Sequence, residues 1–289
     1  DEILADEKLS PEQLLVLDWL MVSDELALGV GLNKISALGM NDKGFEGDDL
    51  ILPNGYGRLL EKMTKGMDIR LNQPVRIVSQ RNGMVSVMTL GEDYEADFAI
   101  CTVPLGVLKQ KKIRFEPDLP HVKHNAIKKL GVGLLNKMAL KFDKPYWPKD
   151  RQFFAYLSEN RGEFPLFMNW THYAGKPFLL AFAGNEFSRP LEDLGDMDVT
   201  VKVHQILYKM FEDIPLPESI LFSRWATDKY ARGAYSYVPV GVPSNLRDYL
   251  AKPEGRLYFA GEATMRGYAG TVHGAYMSGV RAAEWVLRK

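Results

Sequence analysis

The C-terminal segment constrains this chain most. Arg256-Leu257-Tyr258-Phe259-Ala260 is a short apolar run that reads as a buried strand. It runs directly into Gly261-Glu262, and a loop from Ala263 to Gly270 follows. Thr271 then opens a helix that reaches the C-terminus. Val272, Ala275, Tyr276, Gly279, Val280, Ala283 and Val286 recur at helical spacing, and we expect them to form its buried stripe. Strand, loop and helix in this order make a βα unit, which points to an α/β fold. In such folds ligands gather beyond the C-terminal ends of strands, and a helix N-terminus offers unpaired N–H groups with a partial positive charge. That end can stabilise anionic oxygens or electron-rich ring atoms. Glu262 stands where a carboxylate could accept hydrogen bonds from ribose-type hydroxyls. The same spacing also fits a purely structural unit with a solvated glutamate.

The 289 residues suggest about two domains. Ser10-Pro11-Glu12-Gln13 reads as a capped helix start, with Leu14, Leu17, Leu20 and Met21 at helical spacing and Gly29 and Gly31 ending it. A turn at Pro53-Asn54-Gly55 leads to a short helix near Arg58–Lys65. Strands are expected at Asp68–Leu71, Val75–Val78 and Met84–Met88, the last after an Asn82-Gly83 hairpin turn. Phe98–Val103 lacks polar alternation and predicts a fully buried strand ended by Pro104. A basic helix should span about His121–Leu130. Strands are expected over Lys137–Phe142, Phe178–Ala183 and Ile220–Trp225. Between the last two lies an amphipathic helix carrying Val199, Val203, Ile206, Leu207, Met210 and Phe211.

Thirty-six basic residues against 37 acidic ones leave no global field to hold nucleic acid or an anionic membrane. No direct nucleic-acid or membrane partner is therefore expected. No apolar run approaches the ~18 residues of a membrane span. The lone Cys101 cannot make an internal disulfide, and no Cys/His cluster has zinc spacing, so no metal site is expected. An intracellular setting, cytoplasmic or nuclear, fits this cysteine usage.

Several blocks, in order, resemble the flavin-containing amine oxidases, a family that includes polyamine oxidases, monoamine oxidases and lysine-specific histone demethylases. Phe259-Ala260-Gly261-Glu262-Ala263-Thr264, Gly270-Thr271-Val272-His273-Gly274-Ala275 and Ser278-Gly279 resemble the family's C-terminal FAD signature. Pro53-Asn54-Gly55-Tyr56, Cys101-Thr102-Val103-Pro104-Leu105-Gly106-Val107-Leu108, Leu135-Asn136-Lys137, Arg224-Trp225 and Arg232-Gly233-Ala234-Tyr235-Ser236-Tyr237 resemble further blocks. The resemblance implies an α/β (α+β) chain, part of a two-domain FAD-dependent fold. An FAD-binding α/β half would accompany a substrate domain whose mixed sheet is flanked by helices. It divides the chain into residues 1–49 (substrate domain, helical part), 50–110 (FAD-binding part), 111–243 (substrate binding) and 244–289 (C-terminal FAD-binding strand and helix). No G-x-G-x-x-G occurs in these residues. The resemblance therefore implies that an N-terminal FAD-binding segment, in the same polypeptide or a separate chain, completes the enzyme.

The resemblance also implies residue roles. Lys137 is the catalytic residue and holds a water beside flavin N5. Val75, Trp225, Tyr230, Gly261, Glu262, Thr271 and Val272 contact FAD, which Ala234 in place of an attachment cysteine implies is non-covalent. Tyr235 and Thr271 face the substrate, a small-molecule amine or basic peptide. The implied reaction oxidises a C–N bond of a polyamine-like or methyl-lysine-like amine by hydride transfer to flavin N5, giving an imine, an aldehyde and hydrogen peroxide. Taken alone, Lys137 is better read as a lysine that snorkels to the surface, and the matched block reverses that reading. It sits between Leu135 and Met138-Ala139-Leu140, where burial would be costly unless it were hydrogen-bonded or neutralised. The acidic cluster Asp42, Glu46, Asp48 and Asp49 suits attraction of a cation, and it also suits a solvated loop. Lys109–Lys112 with Arg114 reads as a solvated turn. The rival readings are a non-catalytic interaction module or inactive fragment, and another flavin oxidase such as an L-amino-acid oxidase.

Overall fold

The structure, a computed structural model, describes residues 9–37 and 50–289. The acidic cluster at Asp42, Glu46, Asp48 and Asp49 lies outside them. In chain order the elements begin with α1 (Pro11–Leu28), α2 (Gly57–Met63), β1 (Ile77–Arg81), β2 (Met84–Met88), β3 (Asp93–Ala96), β4 (Ala99–Cys101), α3 (Leu105–Leu108), β5 (Arg114–Glu116) and α4 (His121–Lys129). Next come β6 (Gly131–Val132), β7 (Leu135–Lys141), β8 (Phe153–Ala155), β9 (Leu166–Asn169), α5 (Trp170–Ala174), β10 (Phe178–Gly184), α6 (Asn185–Leu191) and α7 (Asp196–Met210). The chain closes with β11 (Ser219–Phe222), β12 (Ser236–Tyr237), α8 (Leu246–Ala251), β13 (Leu257–Phe259) and α9 (Val272–Leu287). They fall into two compact units. The first holds the chain up to Lys34 and Gly133–Asp228, and the second holds Ile35–Val132 and Lys229–Lys289.

The first unit is built on an antiparallel sheet in the order β11-β7-β10-β9-β8. Its central strand β7 alternates as a strand packed on one face must, with Asn136, Met138 and Leu140 inward and Lys137 and Lys141 outward. The inward side meets α7 through Val199, Val203, Ile206 and Leu207, and Phe142, Trp147, Phe164 and Phe167 fill the same core. Helix α1 starts as its sequence demands: Ser10 caps it with a reciprocal capping box to Gln13, and Gly29 ends it in the left-handed region. Its buried Glu25 accepts hydrogen bonds from the Leu32 amide, Arg161 and Asn185, so the charge is paired on every side.

The second unit holds a four-stranded sheet in the order β3-β2-β1-β5, with β5 parallel to β1. Asn82 and Gly83 both take positive φ, as a tight hairpin between β1 and β2 requires. Beside it β13 pairs in parallel with β4. Lys123 on α4 is fully buried, and its ammonium donates to the carbonyls of Tyr249, Leu250 and Lys252, where α8 ends.

Four expectations need correction. Asp68–Leu71 forms no strand, and the next strand begins at Ile77 rather than Val75. The Phe98–Val103 run is not buried throughout, because β4 is three residues long and Ile100 is exposed. Strand β11 ends at Phe222, so Arg224 and Trp225 lie in the turn beyond it. On α9 the tightly buried positions are Gly274, Ser278 and Ala282, whereas Val272, Tyr276 and Val280 of the expected stripe are exposed.

Candidate active site

Lys137 lies on the open face of β7, opposite Phe182 of β10. Its ammonium is 5.7 Å from the Phe182 ring centroid. Met138 and Leu140 alternate away from it, and Leu135 and Ala139, which share its face, are only half-buried, so the strand does not desolvate it. What fixes this strand is its neighbour Asn136, which is fully buried. The Asn136 amide nitrogen donates to Glu192 at 2.6 Å and to the Ser188 hydroxyl at 2.9 Å. Its carbonyl oxygen accepts from the Trp225 amide and the Ser223 hydroxyl, each at 3.1 Å. Ser223 in turn accepts the Lys137 amide at 2.8 Å. Glu192 completes the clamp. One oxygen accepts the Ala226 amide at 3.0 Å and the other accepts the Thr227 amide at 2.7 Å. The turn carrying Trp225 is thus bound to the strand carrying Lys137 by one buried carboxylate and one buried amide. The Trp225 side chain stays exposed.

In the second unit the site gathers around Glu262, just after β13. Its carboxylate accepts the Ser236 amide at 3.1 Å, the Ser236 hydroxyl at 2.6 Å and the Gly270 amide at 2.7 Å. A carboxylate has about four acceptor positions, so three are committed within the protein. The buried Arg247 donates to the Ser236 hydroxyl at 2.6 Å and locks this arrangement from behind. Glu262 therefore ties β12 to the start of α9. Tyr235, next to Ser236, packs its ring against Gly270, and burial pushes its hydroxyl above the ordinary phenol range. Thr271 caps α9 by accepting the Gly274 amide at 3.0 Å and donates to the Tyr268 carbonyl at 2.8 Å. The Val272 amide makes no hydrogen bond among the described residues, and its side chain is exposed at the positive end of the helix.

Gly274 explains itself sterically. A Cβ there would collide with the Tyr268 carbonyl, which crosses the first turn of α9. Gly261 takes φ +126° with open space where a Cβ would stand, and its amide donates to Ser278 at 2.7 Å. Arg281 ties the 262–265 turn to α9 through the Thr264 carbonyl and hydroxyl.

Of the expected site residues, the fold brings Tyr235, Gly261, Glu262, Thr271 and Val272 together in the second unit, and Lys137 with Trp225 in the first. Tyr230 is exposed beside Lys229, whose ammonium is 4.8 Å from its ring. Val75 lies before β1 against the second unit's core. Sequence reading missed Glu192, Ser223, Ser236 and Arg247. Asn136 carried a usable signal, being a polar residue at an inward strand position. Glu192 carried none, since its partners lie far away in sequence. Among the described residues no group of His, Cys, Asp and Glu could hold a metal ion. No helix there is long and apolar enough to cross a membrane.

Comparison with known proteins accords with this geometry. The family model of flavin containing amine oxidoreductases matches residues 22–287. Lysine-specific histone demethylase 1 homolog 3 of Oryza sativa subsp. indica is 38% identical, over 96% of this chain and 36% of its own length. Polyamine oxidase 4 of Oryza sativa subsp. japonica is 37% identical, over 93% of this chain and 55% of its own length. This chain thus spans about a third to a half of these relatives. A double mutant of putrescine oxidase superposes with a TM-score of 0.79 at 20% identity, covering 100% of this chain and 67% of that one. The wild-type enzyme bound to putrescine gives 0.71 at 23% identity, covering 82% and 53%.

Proposed function

The chain belongs to the flavin containing amine oxidoreductases, and from that premise we propose that the whole protein oxidises a C–N bond of a polyamine-like or methyl-lysine-like amine, with oxygen as acceptor. The observation that carries this reading is the cluster at the start of α9, where Tyr235, Gly270, Thr271 and Glu262 are locked together. The family's cofactor is FAD. The residues present fit its ring-bearing end: the helix start supplies an unsatisfied amide at Val272, and Gly261 leaves its backbone open to close approach. Glu262 holds this cradle in shape and keeps about one acceptor position for a ligand hydroxyl.

When bound, FAD supplies the hydride acceptor and returns the electrons to oxygen, giving hydrogen peroxide. The chain's own residues supply orientation, desolvation and a positioned water. The aromatic face of Tyr235 attracts the substrate ammonium and shields the carbon next to nitrogen. Thr271 spends its hydroxyl on the helix cap and the Tyr268 carbonyl, and so leaves a slimmer wall than a second aromatic would. That width suits a long cationic chain. Lys137 holds the water, and the Glu192–Asn136 clamp fixes the strand it stands on. The imine product takes up water and splits into aldehyde and amine. The dinucleotide end needs the N-terminal FAD-binding segment that the sequence implies, and the open apolar stripe of α9 is the surface of the second unit suited to receive it.

The test uses the full protein. Its visible spectrum should be that of a flavin released on denaturation. Lys137→Met should slow flavin reduction by spermidine or a dimethyl-lysine peptide about a hundredfold or more, with flavin still bound. An unchanged reduction rate would remove Lys137 from the mechanism. Equal turnover of benzylamine and spermidine would refute the substrate class. A colourless protein that stays colourless with added FAD would favour the interaction-module reading.

A further inference from the structure

The segment from Lys109 to Lys129 carries seven Lys and Arg against two acids, in a chain whose net charge is −1. The sequence alone makes this a solvated turn and a basic helix. The fold instead wraps it around an open cleft of about 920 Å³, lined by residues between Leu108 and Lys128 of the second unit. Its floor is apolar: Leu108, Phe115, Leu119 and Ile127 are buried core residues that reach its base, and Ile113 is half-buried beside them. Its rim is cationic. Three rim groups are already satisfied. The Arg114 guanidinium pairs with Glu116 at 2.9 Å, His124 with Asp118 at 2.9 Å, and the Lys109 ammonium donates to the Lys128 carbonyl at 2.9 Å. The ammonium groups of Lys111 and Lys128 line the cleft and make no hydrogen bond or ion pair among the described residues, and those of Lys112 and Lys129 beside them make none either. Lys111 is held at φ +53°, a backbone region that side chains seldom occupy, so the turn presents this lysine at a conformational cost.

A basic cleft repels the amine substrate, so a ligand that suits it is of another class. Free ammonium groups around an apolar floor ask for carboxylates interleaved with apolar side chains. A phosphodiester backbone would satisfy the rim and leave the floor unused, and the cleft offers a base no exposed Phe, Tyr or Trp to stack on, only the imidazoles of His121 and the Asp118-paired His124. We propose that this cleft is a docking groove for an acidic peptide segment of a partner protein, with one or two apolar side chains seated between its carboxylates.

The test titrates the full, FAD-loaded protein with a fluorescein-labelled peptide in which glutamate pairs alternate with leucine or phenylalanine, followed by anisotropy. Saturable binding should weaken about tenfold or more in the Lys111→Glu/Lys128→Glu double variant. It should weaken again when glycine replaces the peptide's apolar residues. Both lysines are exposed, and an unchanged flavin spectrum and melting temperature would show the variant folded. Should it not fold, the single variants Lys111→Gln and Lys128→Gln carry the same comparison. Absence of binding, equal affinity of wild type and variants, or equal affinity for the glycine peptide would each overturn the proposal. So would duplex DNA that binds more tightly than the peptide and is lost in the same variants, since the face would then read phosphate.

Discussion

Glu192 is the most consequential buried group in the first unit, and its replacement by glutamine is a near-isosteric test. The carboxylate accepts three hydrogen bonds, from the Asn136 amide group and the backbone amides of Ala226 and Thr227. It has little contact with water. Glutamine keeps the shape but offers one carbonyl oxygen and one NH₂ group. With its oxygen toward Asn136 and Ala226, its NH₂ faces the Thr227 N–H, donor against donor. With its oxygen toward Thr227, it faces two donors instead. The first arrangement loses one charge-assisted bond and strands a buried donor, for a cost of roughly 2–4 kcal/mol. At about 2–4 °C per kcal/mol for a domain of this size, the unfolding midpoint should fall by roughly 5–15 °C. Thermal unfolding of the full protein, followed by far-UV circular dichroism, reads this directly. A double-mutant cycle with Asn136→Ala should show coupling of about 1 kcal/mol or more, because both residues hold the same turn. The functional readout is separate: at a temperature where Glu192→Gln remains folded, flavin reduction should slow more than substrate KM rises. A midpoint within about 1 °C of wild type would mean that the carboxylate does not hold the turn, and the positioning argument for Trp225 and Lys137 would fall with it.

Two further expectations concern the second unit. Burial lowers the Lys123 ammonium from 10.5 to about 8. Its folded value is depressed, so the unfolded chain binds more protons between these limits, and its stabilising contribution is full above 10.5 and lost as pH falls through 8. Between pH 7 and 9.5 the stability of wild type relative to Lys123→Met should therefore rise by about 2 kcal/mol, measured from urea midpoints, and a flat or falling difference would refute the linkage. Gly274→Ala should cost about 2 kcal/mol or more, because the new methyl meets the Tyr268 carbonyl rather than a yielding side chain, and it should lower flavin content at the same time. Normal flavin content in a folded Gly274→Ala protein would show that the 263–270 loop does not shape the site.

Local chemistry was legible where it stays local. The Ser10–Gln13 capping box, the Asn82-Gly83 hairpin and the Thr271 cap depend on residues three or four apart, and all three form. The short strands β8 and β9 escaped notice because three or four residues amid aromatic loops show no period. Lys137 follows the strand's period of two: Met138 and Leu140 go to the buried face, and Lys137 falls on the open one with Leu135 and Ala139, as a surface lysine read from the residues alone would. The Glu192 and Glu262 clamps were illegible for a different reason. Each carboxylate meets donors from segments that only the fold brings together: the place of Glu262 after a strand marked it as a candidate but not its partners Ser236 and Gly270, and nothing adjacent marked Glu192.

Helix α9 joins these cases. Its periodicity identified the residues that need cover, but the side facing its own unit is lined by Gly274, Ser278 and Ala282, spaced four apart and small. Small residues there let the helix sit close enough for the Ser278 hydroxyl to accept the Gly261 amide and for Arg281 to hold the turn after Glu262. Close approach, rather than apolar bulk, is what that interface requires. The larger residues Val272, Tyr276 and Val280 are then turned the other way. The helix thus has two unlike faces: the small-residue one fixes the geometry of the candidate site, and the apolar one is exposed on this unit. The larger residues of the stripe read from the sequence lie on the exposed face, and the row that positions Gly261 and Glu262 was the inconspicuous one.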